Sequence, residues 1–62
     1  FGRRVRAFRK LKRLPQSELA KRLDISTASL GRIERGEKIP SSQFIAKIAE
    51  QLDIDQQELI GE

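Results

Sequence analysis

The side chains that offer recognition chemistry at a regular spacing are Thr27, Ala28, Gly31, Arg32 and Arg35. At about 100° per residue they fall within one helical face roughly 140° wide, with Ser29, Leu30 and Ile33 opposite. This face is small at its N-terminal end and basic further along. That combination suits the major groove of duplex DNA, which admits a helix only where bulky side chains do not hold it off. The competing reading is an ordinary solvated surface over a helical core. Catalytic chemistry has little to stand on: the chain contains no His and no Cys, so the usual general base, metal ligand, thiolate and disulfide are missing and no group activates a Ser or Thr. The expectation is therefore no catalytic residue, no metal, no cofactor and no small-molecule ligand in this domain.

The elements that must carry such a face lie in residues 16–35, QSELAKRLDISTASLGRIER. Leu19, Ala20 and Leu23 recur at helical spacing, Leu30 and Ile33 repeat the pattern, and Ile25 is placed to plug the corner between them. Ser26 is a good N-cap, so the second helix should begin at Thr27. This is a helix-turn-helix pattern. Before it, residues 2–13 form a basic amphipathic helix with Val5, Phe8 and either Leu11 or the stem of Lys12 turned inward. After it, Gly36 is suited to end the helix in the left-handed conformation, residues 37–40 form a returning loop, and Ser41 caps a fourth helix. Ile45, Ala46, Ile48, Ala49 and Leu52 give that helix a broad apolar surface, with Phe44 beside it. Asp55 and Glu58 fit a capping box for a short last helix bearing Leu59 and Ile60, whose apolar side either closes the core or meets a second subunit. The expected fold is all-α: a compact five-helix bundle, residues 1–62 forming a single domain with its helix-turn-helix at 16–35.

A chain of 62 residues buries only about 60% of its extended surface, so its stability is modest and dimerisation would help it. The charge is segregated. Residues 1–40 hold 12 Lys or Arg against 4 Asp or Glu, a net +8, whereas residues 41–62 hold 1 against 5, a net −4. This is the footprint expected of a domain that meets a polyanion at one end, although a basic run is also compatible with a plain solvated face. The apolar runs are too short for a membrane span or a signal segment, and the narrow stripe of the first helix leaves membrane binding a distant alternative. A cytoplasmic, nucleoid-associated protein is expected. The chain opens at Phe1 rather than Met, as the ordered part of a longer product would.

Seven motifs follow one another in order: G-x-R-V-R-x-F-R at Gly2 to Arg9, L-x-Q-x-E-L-A at Leu14 to Ala20, I-S at Ile25 and Ser26, L-x-R-I-E-R-G at Leu30 to Gly36, Pro40-Ser41, K-I-A at Lys47 to Ala49, and D-x-x-E-L-I at Asp55 to Ile60. Together they resemble the lambda-repressor-like helix-turn-helix domains, the Cro and phage-repressor or XRE-type family, over nearly the whole chain. The resemblance implies sequence-specific binding of a double-stranded DNA operator by a transcriptional regulator, a repressor acting as a homodimer on a near-palindromic site. It places Thr27, Ala28 and Arg32 at base-reading positions, where Arg32 can bond guanine O6 and N7, Thr27 several base edges, and Ala28 a thymine methyl. Gln16, Ser26, Arg35 and Lys38 become phosphate contacts. Arg9 and Glu34 become a buried pair between the first and third helices, the other reading being two exposed charges. Phe44, Leu52, Ile54, Leu59 and Ile60 supply the apolar residues of a dimer contact.

Two positions depart from the family pattern. Pro15 stands where Thr or Ser usually caps the second helix; it is expected as the first helical residue, with Leu14 extended before it. Asp24 stands where the turn usually has Gly, and should hold the left-handed conformation at modest cost. Gly31 within the helix costs about 0.5–1 kcal/mol relative to Ala, for which close backbone approach to DNA would be one reason. The alternative function is a protein-interaction module, such as an antitoxin or coactivator-like helix-turn-helix domain.

Overall fold

The computed structural model describes residues 1–60 and contains, among them, five helices and no strand: α1 (Gly2–Leu11), α2 (Gln16–Arg22), α3 (Thr27–Glu34), α4 (Ser42–Leu52) and α5 (Gln56–Ile60). Helices α2 and α3 pack on one another and α1 lies against α3, α4 and α5, while α4 and α5 pair at the other end. One apolar cluster joins them, built from Val5 of α1, Leu19, Ala20 and Leu23 around α2, Leu30 of α3, Ile48, Ala49 and Leu52 of α4, and Leu59 of α5. Ile33 is buried as well. The Cα radius of gyration is 10.1 Å, close to the roughly 10.5 Å expected of a compact chain of this length.

The ends of the helices follow from local chemistry. Ser26 and Ser41 cap α3 and α4 by accepting from the amides of Ser29 at 3.0 Å and Phe44 at 3.2 Å. Asp55 accepts from the Gln57 amide at 3.0 Å and so starts α5. Four helices then stop in one way, on a left-handed residue: Arg13 at φ 57°, Asp24 at 61°, Gly36 at 80° and Asp53 at 58°. In each case the next amide donates five residues back, Leu14 to Arg9, Ile25 to Ala20, Glu37 to Arg32 and Ile54 to Ala49, which satisfies carbonyls that the helix end leaves free. After three of these stops the following residue, Leu14, Ile25 or Ile54, packs against the core. The stop therefore doubles as an apolar clasp.

The structure departs from the sequence reading at several points. Pro15 is the N-cap of α2, extended at φ −61° and ψ 151°, and the helix begins one residue later. Leu11, the last residue of α1, is 73% exposed, and Lys12 after it is exposed as well, so neither turns inward. Ala46 is exposed on α4, whose buried stripe narrows to Ile48, Ala49 and Leu52. Leu52 and Leu59, expected in a dimer contact, are 1% and 0% exposed and belong to the core of one chain. They cannot supply a contact without unfolding it.

Candidate nucleic-acid interface

The turn that aims α3 is set by Asp24. Its left-handed backbone stops α2, and Ile25 folds back onto the core before Ser26 starts α3. From that start, Leu30 and Ile33 bury one side of α3, leaving Thr27, Ala28 and Arg32 exposed on the other. The three residues expected at base-reading positions therefore share one free face of α3.

Behind that face lies a polar core. Arg9 Nε donates to Glu34 Oε2 at 2.7 Å and Arg9 Nη2 to Glu34 Oε1 at 3.2 Å, with the two side chains only 10% and 4% exposed. Gln16 Nε2 donates to the same Oε1 at 3.1 Å, and Arg9 Nη1 reaches the Leu14 carbonyl at 3.0 Å. Parallel bonds from a planar guanidinium to a carboxylate fix orientation as well as distance. They lock α1, the N-terminal end of α2 and the C-terminal end of α3 in one geometry. Gln16 is thus shared between this network and the surface, with a second amide hydrogen still available.

Around the network opens a polar concavity of about 320 Å³ walled by Arg6, Arg9, Gln16, Gly31, Glu34 and Arg35. Gly31 is buried at its rim. A Cβ there would stand 3.1 Å from Arg35 Nη1 and 3.6 Å from Gln16 Nε2, so the missing side chain makes room for two neighbouring polar groups. That is the reason the structure gives for this glycine. Arg35 also donates from Nε to Glu37 Oε2 at 2.9 Å, with both side chains largely exposed. The hydrogen bond first, and the opposite charge second, raise the Arg35 guanidinium above its ordinary range and lower the Glu37 carboxyl.

The remaining expected phosphate contacts are spread along the same region. Lys38 is exposed in the loop after α3, and Ser26 is exposed at its start. The Ser26 hydroxyl accepts from the Ser29 amide and lies 3.0 Å from Ser29 Oγ, so it is already engaged within the cap. Of the residues assigned to a dimer contact, Ile60 is 56% exposed, while Phe44 and Ile54 are half-buried against the core. Phe44 also borders an apolar hollow of about 190 Å³ with Ile25, Ile33 and Pro40.

Two contributors were missed in the sequence. Gly2 is buried where α1 meets the end of α3, and an added Cβ would overlap the carbonyl oxygens of Ile33 and Glu34. This contact sets the positive end of α1, which has no acidic residue in its first turn, against the negative end of α3. Glu37 is the other, and its only signal was an opposite charge two positions after Arg35. Among the described residues, no helix is long and apolar enough to cross a membrane, and no cluster of His, Cys, Asp or Glu could hold a metal.

Comparison with known proteins follows the same lines as the geometry. A helix-turn-helix family profile matches residues 5–59. An HTH-type transcriptional regulator of Bacillus subtilis, YazB, is 51% identical over 59 residues, covering 95% of this chain and 86% of that protein. Among solved structures, the restriction-modification controller protein C.AhdI of Aeromonas hydrophila matches at a TM-score of 0.87 and 38% identity, over 94% of this chain and 84% of its own. The biofilm master regulator SinR of Bacillus subtilis, in a structure solved in complex with DNA, matches at 0.87 and 34% identity over 97% of both chains.

Proposed function

Because the chain belongs to the XRE-type helix-turn-helix family of DNA-binding transcriptional regulators, and is not an enzyme, we propose that it represses transcription by reading a near-palindromic operator with α3. The observation that carries this reading is the free face of α3: Thr27, Ala28 and Arg32 are exposed together while Leu30 and Ile33 are sealed into the core behind them. Arg32 bonds one guanine through O6 and N7, Ala28 packs on a thymine methyl, and Thr27 bonds a neighbouring base edge. Gln16, Ser26, Arg35 and Lys38 hold flanking phosphates, setting register and affinity but not preference.

One short helix reads only a few base pairs, so the domain, residues 1–62, acts as a homodimer on two half-sites. With Leu52 and Leu59 committed to the core, its contact falls to Ile60, Phe44 and Ile54. The place of action is the cytoplasm, at the nucleoid. Sites selected from random duplex DNA give the operator, and variants then test the division of labour. Arg32→Ala should lose about 1–3 kcal/mol per half-site and relax preference at one guanine. Lys38→Ala should weaken all sequences alike and make the salt slope shallower by about one unit. The reverse pattern would overturn the assignment of the face, and a strictly monomeric complex protecting under about 8 base pairs would overturn the dimer. A reporter whose expression falls when the operator is occupied supports repression, and one that rises refutes it.

A second reading has one observation in its favour, the apolar hollow bordered by Ile25, Ile33, Pro40 and Phe44. Under it the chain is an antitoxin-like or coactivator-like module that docks a protein there. Salt separates the two, since a phosphate-dominated complex weakens steeply with added salt and an apolar contact does not.

A further inference from the structure

Arg35 follows the last residue of α3, and its guanidinium folds back over the bare backbone at Gly31 to form one wall of the polar concavity. Its Nε is already occupied by Glu37 Oε2 at 2.9 Å. The pair is not a structural tie, because the two side chains are 60% and 56% exposed and join residues only two apart in one loop. It does place a carboxylate beside a cation that the reading above assigns to a phosphate. Elsewhere around that concavity the charge is positive, Arg6 and Arg9 outnumbering the single Glu34.

We propose that Glu37 is a built-in brake on DNA affinity, a resident counter-anion on Arg35 that a backbone phosphate must share or displace, lowering binding to every duplex without altering sequence preference. The inference rests on the reading of Arg35 as a phosphate contact. Two effects of Glu37 compete. By orienting Arg35 it favours binding, but an exposed pair holds its geometry by only a few-fold in equilibrium terms. By its charge it opposes binding, since a carboxylate and a phosphate sharing one guanidinium stand roughly 5–6 Å apart, well inside the Debye length of about 8–10 Å. At the effective dielectric of a protein surface that repulsion is worth about tenfold or more, so charge wins. The raised Arg35 and lowered Glu37 proton affinities show the same mutual neutralisation.

The test is a double-mutant cycle with wild type, Glu37→Gln, Arg35→Ala and the double variant, each titrated over a salt series against the selected operator and against a random-sequence duplex. Glu37→Gln should tighten binding to both duplexes about tenfold at low salt and steepen the salt slope by about one unit. In the Arg35→Ala background the gain should fall to about twofold or less. The brake is overturned if Glu37→Gln weakens binding or leaves it unchanged, if its gain is as large without Arg35, or if only one duplex responds. Arg35→Ala alone reports on the underlying reading: weaker binding with a shallower slope upholds the phosphate contact whatever Glu37 does. No change would remove the contact and the brake together. Unchanged melting curves for these exposed positions verify that folding is intact.

Discussion

Replacing Glu34 by Ala gives the sharpest test of how the binding face is held in place. The substitution removes three hydrogen bonds, two from Arg9 and one from Gln16, and leaves the buried Arg9 guanidinium with only the Leu14 carbonyl to satisfy it. Breaking a buried pair by deleting one partner costs about 3–5 kcal/mol, because the surviving charge stays desolvated. Here the adjoining concavity lets water reach the gap, which lowers the expected loss to about 2–4 kcal/mol. A chain of 62 residues has roughly 3–9 kcal/mol of stability in total, so the variant should sit near its folding threshold, with Tm down by roughly 15–30 °C. Thermal and urea unfolding followed by circular dichroism measure it. Arg9→Met combined with Glu34→Leu should recover most of the loss, since two apolar side chains leave no charge unpaired. A Glu34→Ala melting point within about 3 °C of wild type would refute the claim that this pair anchors α1 to α3.

Three further substitutions probe backbone positions. Gly2→Ala should destabilise by about 2–4 kcal/mol, because its methyl meets the backbone carbonyls of Ile33 and Glu34, which cannot swing aside; unaltered urea unfolding would contradict that packing. Asp24→Gly should stabilise by about 0.5–1 kcal/mol, relieving a left-handed residue that lacks glycine's freedom, and a lower Tm would show that the aspartate side chain contributes more than its backbone costs. Gly31→Ala should raise helix stability by up to about 0.5–1 kcal/mol, yet weaken DNA binding, because the new methyl displaces the Arg35 guanidinium 3.1 Å away; stronger melting with undiminished affinity would separate Arg35 from the interface.

Much of this protein was legible without coordinates, for a reason visible in the residues themselves. The Ser26 cap, the Asp24 and Gly36 stops and the outward face of Thr27, Ala28 and Arg32 depend on neighbours within one or two helical turns, and such short-range preferences are written directly in sequence. The helical period likewise marks which side of α2 and α3 is apolar. It does not say how far the core extends along a helix or which chain an apolar residue serves. That is why Leu11 and Ala46 turned out exposed, and why Leu52 and Leu59 belong to the core of one chain rather than to a contact between two.

The other decisions were long-range and only the tertiary structure could make them. Gly31 had a reason for its bareness in the Arg35 and Gln16 side chains, and Gly2 in two carbonyls of α3, neither of which any local pattern encodes. Residue types and the family resemblance proposed a partnership between Arg9 and Glu34. The fold decided its geometry by bringing positions 25 residues apart to 2.7 Å and adding Gln16 and the Leu14 carbonyl around them. Hydrogen bonds need partners within about 3 Å in the right direction, and a one-dimensional pattern specifies neither once the partners lie on different helices.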